Sequence, residues 1–336
     1  MVMDKKLRVL MVIGGSVNVP ETLKYAGVWA WRQIDSLRSL GVEVDTYTFV
    51  NRRSIGGLLS GGLEMRRKAK ELKSDLIHVH YGAAQALVAV LFCSPPVVLK
   101  FGGSDLLGNY DANGRKTWSG RLSVLLSRLA AFRAARNIAV SEELRKALKF
   151  PSSQRKCEVI PNGIDLNLFK PFSKKEARNA LNWQHDDPVI LFMNRKGAWV
   201  KNPSLAFAAY EKAKKRLPAL RIQIVETESP ERMPLFMNAA DLLLITSRHE
   251  GSNNTVKEAL ACNLPVVATP AGDIPKRLAG VQPSAVVAPD PTIIADSIEE
   301  ILQQGIRSNG REYVTQLSLE NVAKRMLKVY RETLCV

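Results

Sequence analysis

Between residues 242 and 268 the chain passes twice from an unbroken apolar run into a polar, glycine-bearing interval, and a parallel α/β layer is the architecture that suits this order. Leu242-Leu243-Leu244-Ile245 reads as a strand buried on both faces, and Leu264-Pro265-Val266-Val267-Ala268 as another. Between them lie a polar loop with Gly251, Asn253 and Asn254 and a helix that opens right after it. Strand, loop, helix and strand in succession place a loop and a helix N-terminus at the carboxyl edge of a parallel sheet. Free backbone N–H groups and the helix dipole favour an anionic group there. Glu250 lies in the loop and Glu258, eight positions on, lies on the helix, where a carboxylate reaches hydroxyls beside such an anion. Two spaced glutamates alone would be a solvated acidic face. The apolar strands on both sides argue against that here.

The rest of the chain repeats this alternation. At 336 residues it suits two domains, and its 46% hydrophobic content supports two cores. In the first half, strands are expected over residues 7–13, 42–50, 75–80, 97–101, 137–140 and 157–160. Helices are expected over 26–40, closed by Gly41, and over 121–136, and a basic helix precedes residue 75. Residues 161–171 form a punctuated linker. Strands at 189–193, 221–225, 242–246, 265–268 and 285–287 follow, and a last helix runs over 318–334 with Ser318 as its cap.

Several segments resemble the Glu-x7-Glu signature of retaining, B-type-fold (GT-B) glycosyltransferases of group 1, the family-four type. They are Glu250-Gly251, Lys257-Glu258-Ala259-Leu260-Ala261-Cys262, Pro265-Val266-Val267-Ala268-Thr269 and Gly272-Asp273. Ile160-Pro161-Asn162-Gly163-Ile164-Asp165 is similar to that family's interdomain linker. The resemblance implies two Rossmann-like, doubly wound parallel-sheet domains facing across a cleft. Residues 1–166 would form the acceptor side, 167–316 the nucleotide-sugar donor side, and 317–336 a helix crossing back to the first domain. It implies that Glu258 holds the nucleotide ribose and Glu250 hydroxyls of the donor sugar. Amides of Gly251, Ser252, Asn253, Asn254 and Thr255 would hold the sugar and distal phosphate. Attack would come from the front face, with a donor phosphate oxygen taking the acceptor's proton. No cofactor and no metal are implied, the nucleotide-sugar being a substrate. UDP is the default by family frequency.

The residues themselves add detail. The loop after residues 189–193 carries Arg195, Lys196 and Lys201, which suits a diphosphate whose charge grows as the sugar leaves. The family spaces its Arg and Lys by about five; Arg195 and Lys201 are six apart, so Lys196 competes. Gly14, Gly15 and Gly27 would let backbone approach a diphosphate or the acceptor. No G-x-G-x-x-G is present, so a dinucleotide site is not supported. Gly102 stands where the family commonly has a catalytic histidine, so that role does not transfer. His78 and His80 share one strand face, with His80 nearer the carboxyl end and an acceptor. Ser104 and Asp105 are acceptor-side or loop-ordering candidates. Glu226-Thr227-Glu228 replaces the family's Gly-rich base loop, so no base is assigned from it. His249 has no companion ligands at metal spacing, and no serine or cysteine sits at a nucleophile elbow.

Charge bounds the partners. Residues 1–170 hold 26 Lys and Arg against 14 Asp and Glu, most of the net charge of +16. A glycan or lipid-linked acceptor and an anionic membrane surface both fit a basic first half. Residues 52–73 carry Ile and Leu in a Gly-rich centre that no regular element obviously buries, flanked by Arg and Lys. Shallow insertion into headgroups and closure over an acceptor are both open readings of that segment. A nucleic-acid binding protein would interleave aromatics with the cations, whereas Arg52-Arg53 and Arg66-Arg67-Lys68 sit among Leu, Ile and Gly. A nucleotide-sugar epimerase or hydrolase on the same architecture would need an acid/base pair across the cleft, and no convincing pair is evident. Cys93, Cys157, Cys262 and Cys335 show no paired or metal spacing, which suits reduced thiols in a cytoplasm. The first apolar stretch is too short for a signal peptide, and no run spans a membrane. The expected location is cytoplasmic, peripheral on the inner face of the membrane.

Overall fold

The structure, a computed structural model, describes residues 6–15, 28–50, 54–184, 186–194 and 199–335. The chain falls into two compact units. The first combines Met1–Tyr110, Arg115–Gly163 and Leu319–Val336; the second combines Asp111–Gly114 and Ile164–Ser318.

In the first unit the order is β1 (Arg8–Gly15), α1 (Val28–Ser39), β2 (Glu43–Val50), α2 (Ile55–Glu71), β3 (Leu76–His80), α3 (Ala83–Phe92), β4 (Val97–Phe101) and α4 (Ser104–Leu107). It continues through α5 (Trp118–Arg133), β5 (Arg136–Ala139), α6 (Glu142–Ala147), α7 (Pro151–Arg155) and β6 (Cys157–Val159). The six strands pair in parallel in the order β2-β1-β3-β4-β5-β6. Both sheet faces are covered, which explains why the strands read as apolar runs. Leu10, Val12, Ile77 and Leu99 pack under α2, α3 and α5. Val9, Met11, Leu76 and Val98 pack on the other face, with α1 and the last helix.

The second unit runs through α8 (Lys174–Ala180), β7 (Val189–Met193), α9 (Pro203–Arg216), β8 (Arg221–Val225), α10 (Met233–Ala239), β9 (Leu242–Ile245) and α11 (Asn254–Ala261). It ends with β10 (Val266–Ala268), α12 (Ile274–Leu278), β11 (Ala285–Val286) and α13 (Pro291–Gln304). Its parallel sheet has the order β11-β10-β9-β7-β8. From β7 the chain steps out to β8, then returns past β7 to β9. The carboxyl ends of β7 and β9 therefore flank a topological switch point, where neighbouring loops diverge and leave a crevice. The same reversal in the first unit falls between β1 and β3. Helix α14 (Leu319–Leu334) belongs to the first unit, where it buries Val322, Ala323, Met326, Val329 and Tyr330.

The parallel α/β class follows the expectation, and the strands at 97–101, 189–193 and 221–225 coincide with it. The helix expected over 121–136 begins earlier, at Trp118, where Thr117 Oγ1 accepts from Gly120 N at 3.0 Å. The reading of residues 52–73 needs correction. Residues 52 and 53 lie outside the described residues, but Ile55–Glu71 is a regular helix, capped by Ser54 Oγ accepting from Gly57 N at 3.0 Å. One of its glycines serves packing. A Cβ on Gly62 would stand 2.7 Å from the Phe92 ring of α3, so glycine lets the two helices meet.

Candidate active site

Two loops meet at the β7/β9 switch point. Met193 and the short 3-10 turn Trp199–Lys201 bracket the first; Thr246 to Asn253 form the second. The loops are stitched together. Thr246 Oγ1 donates to Lys201 O at 2.9 Å and Asn202 O at 3.1 Å, and Arg248 N donates to Val200 O at 2.8 Å. The Arg248 guanidinium donates to Asn202 Oδ1 at 2.8 Å and lies 4.6 Å from the Trp199 ring centroid, a cation–π distance. Asn202 holds a left-handed conformation (φ 50°), which asparagine tolerates better than most residues, and Pro203 then starts α9.

Glu250 is the hub of this edge. Its Oε1 accepts from Lys201 Nζ at 2.7 Å, Ser247 Oγ at 2.7 Å and Asn253 Nδ2 at 3.0 Å. Asn253 also caps α11, its Oδ1 accepting from Val256 N at 3.1 Å. One buried amide thus fixes the helix start relative to the carboxylate. At the other end of α11, Arg311 donates to Ala261 O at 2.8 Å and Arg307 to Cys262 O at 2.9 Å, which satisfies terminal carbonyls with cations. The helix buries Val256, Ala259 and Leu260. Glu258 stays half-buried in its second turn. Asn254 Oδ1 is buried without a hydrogen-bond partner among the described residues.

A third loop, after β10, closes the arrangement. Gly272 has φ 55°, and a Cβ there would lie 2.5 Å from Glu250 O. Ser252 Oγ and Arg277 Nε both donate to Asp273 Oδ2 at 2.8 Å. Lys257 is fully buried near this carboxylate; burial pushes its pKa down to about 8, with Asp273 acting in the opposite direction. The second unit therefore brings together Glu250, Gly251, Ser252, Asn253, Asn254, Thr255, Glu258 and Lys201. Arg195 and Lys196 lie outside the described residues. Ser247, Thr246, Asn202 and Arg248 went unrecognised in the sequence. Thr246, Asn202 and Arg248 act through contacts between loops some 45 residues apart, which no local pattern records, and Ser247 acts within its own loop on Glu250.

The first unit gathers its candidates at the carboxyl edge of its sheet. Gly14 and Gly15 end β1, and a Cβ on Gly14 would meet Gln85 Oε1 at 2.6 Å. Asp105 is fully buried. Its carboxylate accepts from Gly82 N and Gly102 N at 3.1 Å and from Gly103 N at 2.8 Å, which binds the loops after β3 and β4 to each other. Burial raises its pKa against the lowering effect of those amides. Asp105 is thus committed to ordering these loops. Ser104 Oγ hydrogen-bonds Tyr81 OH at 2.7 Å. His80 is only 1% exposed and lies under α1, its ring 5.0 Å from that of Trp29. Neither of its ring nitrogens has a hydrogen-bond partner among the described residues. Gly27 lies outside the described residues.

Two family models match the chain: Glycosyltransferase Family 4 over residues 23–168, and Glycosyl transferases group 1 over residues 206–304. D-inositol 3-phosphate glycosyltransferase of Segniliparus rotundus is 26% identical over 55% of this chain and 49% of that protein. The chain spans about half the length of the curated relatives it matches. Sucrose-phosphate synthase from Thermosynechococcus elongatus superposes with a TM-score of 0.77 at 18% identity, covering 98% of this chain and 100% of that one. Anabaena Alr3699/HepE, solved with UDP, superposes at 0.68 with 18% identity, covering 97% and 100%. The structural likenesses establish the GT-B fold. The two family matches, each over less than half of the chain, support a group 1 glycosyltransferase.

Proposed function

We propose that the protein is a retaining glycosyltransferase that moves a sugar from a nucleotide-sugar, a UDP-sugar by default, to a glycan or lipid-linked acceptor in polysaccharide or glycolipid synthesis. The observation that carries this reading is the convergence, at one switch point, of the Lys201–Glu250 pair with the opening of α11 and its half-buried Glu258. The first amides of an α-helix lack intrahelical partners and suit a phosphate. Lys201 supplies positive charge where the diphosphate gains negative charge. Glu250, fixed by three donors, accepts sugar hydroxyls and orients the ring. Asn254 Oδ1 is a further acceptor, without a partner among the described residues. Glu258 takes the ribose hydroxyls. In the reaction the bond from the anomeric carbon to the phosphate oxygen breaks, and a bond to the acceptor oxygen forms on the same face. The acceptor's proton passes to the departing diphosphate. The Anabaena relative has been solved with UDP-glucose as well as UDP, which favours uridine.

A thermal-shift screen against UDP-, GDP- and ADP-sugars, followed by proton NMR of the glycoside formed, tests the proposal. A nucleotide-sugar bound only by the folded state raises the melting temperature. The expected result is a shift with a UDP-sugar and a product of unchanged anomeric configuration. An inverted product rejects the retaining mechanism, and no shift with any donor rejects the donor site.

A further inference from the structure

Helix α5 carries five large apolar side chains on its outer side: Trp118, Leu122, Leu125, Leu129 and Phe132. They range from 43% exposed at Leu129 to 80% at Trp118. Their spacing of four, three, four and three residues sets them in one stripe along the helix. The opposite side of α5, with Gly120, Val124, Ala130 and Ala131, faces the core, so the stripe is surplus to folding. Phe150, itself exposed, extends it, its ring 5.9 Å from that of Phe132.

The neighbouring helices continue the surface. α3 packs between α2 and α5 on the same face of the sheet. It exposes Leu91 and contains no charged residue. α2 turns Ile55, Leu59 and Leu63 outward, Ile55 being 79% exposed. Exposed cations accompany these residues: Arg121 and Arg133 on α5, Arg66, Arg67 and Lys70 on α2. α5 contains no acidic residue at all. Scattered exposed leucines need no explanation, but an apolar stripe flanked by cations on a helix without acids does; on α2 the cations are mixed with acids, Arg67 pairing with Glu71 at 3.5 Å.

We infer that the outer layer of α2, α3 and α5 is a docking surface for an anionic lipid bilayer, with the α5 stripe inserted among the headgroups. Charge complementarity selects this occupant. A second copy of the chain would set Arg121 and Arg133 against their own like, which costs energy, whereas anionic headgroups attract them. The aliphatic stems of arginine also lie along apolar surface while their heads stay in the polar zone. The inference stands apart from the transferase reading, because none of these side chains belongs to the switch-point site. If both hold, the enzyme works at the surface where an amphiphilic acceptor resides.

The test is co-sedimentation of the full chain with vesicles of phosphatidylcholine alone and of phosphatidylcholine mixed with phosphatidylglycerol. Binding to the mixed vesicles at low salt, weakened by added salt and absent for the neutral ones, is expected. The pairs Leu125→Gln with Phe132→Gln, and Arg121→Glu with Arg133→Glu, should each weaken it by about tenfold or more. Brominated lipid should quench a tryptophan signal that Trp118→Phe removes. Circular dichroism melting checks that the variants fold, and a UDP thermal shift reads the donor site separately. No pelleting with anionic vesicles, or pelleting that ignores both pairs of substitutions, overturns the inference. So does a dimer in sedimentation velocity that Leu125→Gln dissolves, which would assign the face to a second copy.

Discussion

Gly272 sits where the loops after β9 and β10 crowd together, and its missing side chain leaves room for the backbone of Glu250. A left-handed φ and a 2.5 Å approach to Glu250 O both exclude a Cβ. Gly272→Ala should cost about 1–3 kcal/mol, with strain and displacement acting together, and a urea titration reads the loss. An unchanged midpoint would mean that the loop yields freely. Glu258→Ala tests a different role. In the proposed donor site this half-buried carboxylate takes the ribose, so its loss should weaken nucleotide affinity by about 1.5–3 kcal/mol with little effect on the melting of the unliganded protein. Calorimetry that finds affinity unchanged would remove the ribose assignment. The spacing of Glu250 and Glu258 is legible in the sequence because one short loop runs straight into the helix, α11, that carries the second. The Lys201–Glu250 pair is not, because it spans 49 positions and depends on strands β7 and β9 being neighbours.

At the scale of elements, β3 is the least ordinary strand. It buries two imidazoles on the face covered by α1 and α14, their ring centroids 4.6 Å apart. His78 Nδ1 hydrogen-bonds Tyr330 OH at 2.6 Å, and Lys100, adjacent to His80 on β4, donates to Gln33 Oε1 at 2.5 Å. Burial holds both histidines well below their usual 6.5, with Lys100, and for His80 also His78, adding to the shift. In the unfolded chain each takes up a proton as pH falls past 6.5, while the folded chain takes it up only at lower pH. Their contribution is therefore intact above 6.5 and is lost below it, by up to about 1.4 kcal/mol per pH unit for each proton. Urea unfolding near pH 7.5 and near pH 5.5 should show the fall, and His80→Leu should shrink the slope by about one proton. A slope that ignores His80→Leu would place the titrating groups elsewhere. Helices α2 and α3 show why some elements escape sequence reading. Four glycines, at 56, 57, 61 and 62, depress the helix propensity of α2, and only packing against Phe92 reveals the use of Gly62. α3 is apolar on every side, so it has no periodicity to read.

For the molecule as a whole, the first unit is discontinuous. α14 joins it after the second unit's 155 residues Ile164–Ser318, and the helix is anchored by apolar burial and by Arg325 donating to Val159 O at 2.7 Å. Met326 is fully buried, so Met326→Ala should cost about 2–5 kcal/mol. The loss belongs to the first unit. Calorimetry should show its transition lowered while the second keeps its temperature; a uniform shift would mean that the two melt as one. The parallel-sheet architecture is legible because each strand is an apolar run bounded by turn residues. The surplus stripe on α5 is not, since nothing in its sequence tells an outward leucine from an inward one.

The late position of α14 also governs the chain during its synthesis. The second unit is contiguous apart from Asp111–Gly114, so nearly all of its partners have left the ribosome before α14 is made. The first sheet must wait. Until residues 319–334 emerge, Met11, Val98 and the histidines of β3 lack the cover that Met326 and Tyr330 later supply. Exposed apolar sheet faces bind chaperones and one another, so each nascent chain passes through an interval in which aggregation competes with closure. Slow translation past residue 318 lengthens that interval, and a faster supply of α14 shortens it.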